Sequence, residues 1–220
     1  MSERVRLTER QVDPHFASDL LHWVTRQGAD SEHQAAILVY HRIVDGPRSA
    51  LNVPPWRFRQ QMNFLRLHFR VVPLSGLIAT LRHGGEFTAP TVAITFDDGY
   101  RDNLTEAAPV LAEFGLPATL FVAPGPQELG EPFWWDTLAL AGITDPEILG
   151  RLKQRPHAEF IQAIEVARKQ VGPARLAETV RELYLTWDEL RRWAALGHEV
   201  GAHTMTHPIM PQVSPAQAAG

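Results

Sequence analysis

Short apolar runs rich in β-branched residues alternate along this chain with stretches of helical period, and few folds accept that order. The runs are AAILVYHRI (35–43), RVVPL (70–74), TVAITF (91–96) and PATLFVAPG (117–125). Between them lie helical stripes. Trp56, Phe58, Met62, Phe64, Leu65 and Phe69 mark one, and shorter ones fall near Leu74–Arg82 and Leu104–Phe114. The first run predicts a strand covered on both faces. From Trp134 to Tyr184 the pattern is mostly helical, with Pro173 restarting a helix after Gly172. Thr186 and Glu189 have capping-box spacing and open a helix that ends at Gly197. HEVGAHTMTH then reads as a last short strand running into a loop. This alternation predicts an α/β fold, a parallel sheet or barrel with helices outside. Asp13-Pro14 starts a predicted short helix carrying Phe16, Leu20, Leu21 and Val24. Residues 1–34 are thus read as an N-terminal extension, and 35–220 as one domain.

The totals narrow the chemistry. A net charge of -4 gives no basic field for nucleic acid, and no apolar run approaches the length of a membrane span. The N-terminus MSERVRLTERQVDPHF is too charged for a signal peptide, which predicts a cytoplasmic protein. With no cysteine, any metal must be held by His, Asp or Glu.

In parallel α/β folds reactive residues gather where strands end. Here the first strand ends in Tyr40-His41, the third in Asp97-Asp98, and the last in His203-Thr204-Met205-Thr206-His207. Adjacent aspartates repel, and both lose solvation at the end of a buried strand. A turn at Gly99 lets both enter one cleft while remaining inequivalent: one can bind a metal, the other can take a proton from water. The same Asp-Asp-Gly also suits a solvated turn. His203 and His207, four apart, face one side if the loop coils into a turn and can then grip one ion. They also fit a loop histidine and a capping histidine. One aspartate and two histidines make a three-ligand site with open positions, the arrangement of a catalytic metal and of a metal-assisted hydrolase.

At these residues the chain resembles the polysaccharide deacetylases, the carbohydrate esterases that share the NodB homology domain. TFDDG (95–99) is similar to the family's first motif and HTMTH (203–207) to its second. GLPATLFV and GHEVGAHTMTHP sit where that family keeps like strings, and LVYHRI resembles the opening of the branch with poly-N-acetylglucosamine deacetylases. The resemblance implies a distorted (β/α) barrel of the NodB type. It implies that Asp98, His203 and His207 bind a divalent metal, most simply Zn²⁺, with Co²⁺, Ni²⁺, Mn²⁺ or Fe²⁺ as alternatives. Asp97 is implied as the base acting on a metal-bound water, His41 as the acid, and the backbone N–H near Tyr100 as a substrate contact for the oxyanion. The implied substrate is an N- or O-acetylated sugar or polysaccharide.

The family continues past its second motif to segments not found before Gly220. The expectation is therefore a barrel incomplete at the C-terminus, weak or absent activity of the chain alone, and self-association through the gap. Two other functions compete. One is a carbohydrate-binding or interaction fragment that has lost catalysis. The other is a non-haem Fe(II) enzyme, against which the strand–helix alternation argues. Trp134 and Trp135 fit either sugar stacking or core packing.

Overall fold

A computed structural model of the chain describes Phe16 and residues 35–46 and 51–209. The strands are β1 (Ala35–Tyr40), β2 (Arg42–Ile43), β3 (Asn52–Val53), β4 (Arg70–Val71), β5 (Thr91–Phe96), β6 (Thr119–Val122) and β7 (Glu199–Ala202). The helices are α1 (Pro55–His68), α2 (Leu74–Arg82), a π-helical turn (Asn103–Ala107), α3 (Ala108–Phe114), α4 (Gly125–Leu129), α5 (Trp134–Leu140), α6 (Pro146–Lys153), α7 (His157–Val171), α8 (Pro173–Leu183) and α9 (Trp187–Ala195). Most of the helix predicted from Asp13 lies outside the described residues. Phe16 is helical there and meets Phe64 edge-on at 6.2 Å.

The strands form one sheet in the order β1-β5-β6-β7, with β4 also paired to β5, and β2 pairs with β3 apart from it. β1, β4 and β6 all run parallel to β5. The fold is thus α/β with a parallel sheet, as the alternation predicts. The chain divides into two compact units, one holding the described residues up to Phe121 plus Trp187–Gly201, the other Val122–Thr186 and Ala202 onward.

In the first unit β5 is buried along its whole length, as befits a strand paired on both sides. One face of the sheet carries Tyr40 and Phe96, which pack with Phe58 of α1 at ring separations of 5.2 and 5.8 Å. Trp193 of α9 closes this cluster on Phe96 at 5.7 Å, and its indole N–H donates to the Glu199 carbonyl at 3.0 Å. Burial pushes the Tyr40 phenol up, so it stays protonated and donates to Gln61.

Two local expectations are corrected. β1 is not covered on both faces: Ile37 and Val39 are 50% and 54% exposed. Its side chains alternate: Tyr40 is buried on one side, while on the other Ala35 packs on the Leu74–Leu77–Phe87–Ala93 cluster and Ile37 and Val39 beyond it are open. The helix after the two aspartates opens as a π turn before becoming α-helical at Ala108. Pro109 accounts for this, because it lacks the amide that would bond Thr105 and its ring crowds that carbonyl.

His198, just before β7, tilts against Trp193 at 4.5 Å, and burial holds its pKa below the ordinary 6.5. The unfolded chain then binds this proton more readily than the folded one. Stability from this residue is present above pH 6.5 and is lost as pH falls through that value toward the folded pKa. Thermal unfolding between pH 7.5 and 5.5 should therefore show a decline that His198→Phe partly removes. An identical slope in the variant would remove His198 from the acid response.

The second unit is helical. Leu138, Phe160, Ile164 and Ala167 form its core, with Trp134 and Ile209 packed on it. Asp145 caps α6 by accepting from the amides of Glu147 and Ile148 at 2.8 and 3.3 Å. Of the two readings for Trp134, core packing is the one seen. No described helix is long and apolar enough to cross a membrane.

Candidate active site

The first unit brings His41 and Asp97 together at two adjacent strand exits. The β1–β5 ladder carries one step past its last strand residues, with Asp97 donating its amide to the Tyr40 carbonyl at 3.0 Å. His41 and Asp97 thus leave neighbouring strands together, and His41 Nε2 stands 4.0 Å from Asp97 Oδ2. That is beyond a direct hydrogen bond, and both side chains remain partly open to solvent.

Asp98 takes the opposite course. It is 3% exposed and has φ of +76°, followed by Gly99 at +84°. Two successive left-handed residues turn the chain sharply and separate the two carboxylates, one accessible and one buried. Glycine takes this geometry freely, whereas for aspartate it costs on the order of 1 kcal/mol. Backbone strain of this kind concentrates where a side chain must be aimed. The expectation that a turn at Gly99 makes the pair inequivalent matches this geometry.

The residues behind this turn tie it to the exit of β1. Asp102 accepts from Arg42 Nε at 2.9 Å and from the Ile43 amide at 2.9 Å. Asn103, fully buried, donates to the His41 carbonyl at 2.8 Å. The Arg42 guanidinium lies over the buried Tyr100 ring, 4.4 Å from its centre. Sequence reasoning missed Arg42, Asp102 and Asn103. A signal was present: an arginine directly after His41, and an Asp-Asn pair one residue beyond the Asp-Asp-Gly-Tyr turn.

The second unit carries the histidine pair. His203 follows directly on β7 and donates its amide to the Val122 carbonyl at 2.9 Å. The segment is a loop rather than a helix, with Thr204 and His207 both left-handed at φ of +61° and +51°. The His207 amide donates to Thr204 Oγ1, a local bond that closes the loop. The two imidazole rings end 4.7 Å apart. Trp135 packs edge-on against His207 at 4.9 Å and stacks on Phe133 at 4.6 Å. Phe133 is held in turn by Tyr184, whose hydroxyl accepts from the Phe133 amide and donates to Asp136.

Gly125 braces the loop from α4. Its amide donates to the Met205 carbonyl at 2.8 Å, and a Cβ there would sit 2.5 Å from that oxygen. Gly125→Ala should therefore push the loop away and part the two imidazoles. The expected result is a lower melting temperature and shifted ring resonances of His203 and His207, read by circular dichroism and NMR. An unaltered melting temperature and spectrum would mean that the loop does not need this brace.

Comparisons with known proteins match the chain to one family. A family profile described as "Polysaccharide deacetylase" matches residues 84–219. The "Putative polysaccharide deacetylase YxkH" of Bacillus subtilis is 36% identical over 87 residues, a stretch covering 39% of this chain and 30% of that relative. The solved structure "Streptococcus pyogenes deacetylase PplD in complex with acetate" superposes with a TM-score of 0.55 at 21% identity, covering 84% of this chain and 63% of that one. That likeness bears on the fold, and it is to a deacetylase fold that the parallel sheet corresponds.

Proposed function

Because the chain belongs to the polysaccharide deacetylase family, we propose that it hydrolyses acetyl groups on an acetylated sugar, using a divalent metal held by Asp98, His203 and His207. The observation that carries this reading is the order of strand exits. β1, β5 and β7 belong to one sheet, β5 is parallel to β1, and each strand is followed at once by reactive side chains: His41, Asp97-Asp98 and His203. With β6 between them, β5 and β7 stand two strand spacings apart, roughly 10 Å.

The donor set fits such an ion. One buried carboxylate and two imidazoles bind Zn²⁺ well and accept Co²⁺, Ni²⁺, Mn²⁺ or Fe²⁺, while leaving positions open. A bound divalent ion would supply Lewis-acid polarisation of the acetyl carbonyl and make water more acidic. Asp97, the more accessible carboxylate, takes the proton of the attacking water as the new C–O bond forms. His41, on the neighbouring strand exit, delivers a proton to the departing sugar nitrogen as the C–N bond breaks, or to the sugar oxygen of an ester. The products are acetate and the free amine or alcohol. The Tyr100 amide, next after the two left-handed residues, is assigned to the developing oxyanion.

The test is acetate release from an N-acetylglucosamine oligomer and from an O-acetylated sugar, with the protein loaded with Zn²⁺ and again after chelation. Release that stops on chelation and returns with Zn²⁺ supports the reading. Binding of the oligomer with no release in any metal form would replace it with a carbohydrate-binding function.

A further inference from the structure

We propose that Asp102, acting with Asn103, is a positioning residue that aims His41 at Asp97; the assignment rests on the acid role given to His41 above. His41 is the single residue between β1 and the two-residue strand β2. The main chain on both sides of Arg42 is held from one place. Asn103 Nδ2 bonds the His41 carbonyl at 2.8 Å, and Asp102 Oδ1 accepts from the Ile43 amide at 2.9 Å. Fixing the carbonyl of one residue and the amide two positions later fixes the backbone at His41 and Arg42, and with it the direction of the His41 Cβ.

The two side chains also hold each other. Asn103 Nδ2 lies 3.4 Å from Asp102 Oδ1, so one carboxylate oxygen serves both contacts. The other oxygen takes Arg42 Nε at 2.9 Å and Nη2 at 2.8 Å, a double contact from adjacent guanidinium nitrogens that resists rotation. Arg42 is in turn seated on Tyr100. Residues 100, 102 and 103 all follow the Asp97-Asp98 turn directly, so the histidine is referenced to the same piece of backbone that carries the aspartates. The π turn beginning at Asn103 follows at the end of this segment and is a form often retained at functional sites.

A merely structural clamp would lower stability without acting through His41. The experiment uses the whole chain with ring-labelled histidine, the His41 cross-peak being assigned by its loss in His41→Ala. In Asp102→Asn that cross-peak should shift or broaden, while the peak of His198, which precedes β7, stays in place. Kinetically, Asp102→Asn should lower kcat at least tenfold with KM changed less than twofold, and should change kcat less than twofold in a His41→Ala background. Should Asp102→Asn fail to fold by circular dichroism, Arg42→Lys, which keeps the charge but not the double contact, should move the same His41 peak. An unmoved His41 peak in the folded variant, or kinetic losses that multiply fully with His41→Ala, overturns the proposal. If the unaltered protein releases no acetate from any substrate, the function above fails, and the histidine spectrum still decides the positioning role.

Discussion

Asp97→Asn is expected to lower kcat for acetate release by about 10²- to 10⁴-fold while leaving KM and metal content nearly unchanged, the usual range for removing a general base. The substitution keeps the side-chain shape and the main-chain bond from residue 97 to the Tyr40 carbonyl, so the exit of β5 should stay where it is. What disappears is a carboxylate able to accept the proton of the attacking water. Asp98, buried and turned away by its positive φ, cannot take over that role without unwinding the Asp98-Gly99 turn. Steady-state acetate release, with circular dichroism to confirm folding, makes the measurement. Equal kcat in the variant and the parent would take Asp97 out of the chemistry.

The second large effect concerns the imidazoles. His203→Ala and His207→Asn should each lower Zn²⁺ affinity by at least about 100-fold and abolish activity at stoichiometric metal, since a three-ligand site reduced to two holds an ion poorly. Asparagine is chosen at position 207 because that residue is left-handed, a conformation asparagine tolerates and alanine resists. The two variants should differ in stability. His207 packs on Trp135 and Phe133, so its loss should lower the melting temperature more than loss of His203. Metal content after gel filtration and titration with Zn²⁺ are the readouts. Unchanged affinity in both variants would leave Asp98 and the histidines without a shared ion and would remove the metal from the reaction.

Much of this architecture was legible in the residues. TVAITF predicted Thr91–Phe96, and the stripe near Leu74–Arg82 predicted α2, because both signals are local: a β-branched apolar run and a helical period. The restart at Pro173 and the left-handed Gly197 were readable for the same reason, since each depends on one residue's own backbone preferences. The open face of β1 was not readable. AAILVY reads the same whether its second face is covered or bare, and only what packs over that face decides it. The histidine loop was half legible. Spacing suggested that both imidazoles could face one way, but two left-handed residues and the Met205–Gly125 bond are what bring them together.

By itself, then, the amino-acid order determined the strand–helix alternation, the places where strands stop, and the reactive side chains at those stops. These follow from short-range preferences and side-chain chemistry. The 4.0 Å approach of His41 to Asp97, the burial of Asp98 beside its accessible neighbour, and the Arg42–Asp102–Asn103 clamp were decided only on folding. Each joins residues about sixty positions apart or sets one backbone angle against its neighbours. Sheet pairing supplies that information, and no local pattern carries it.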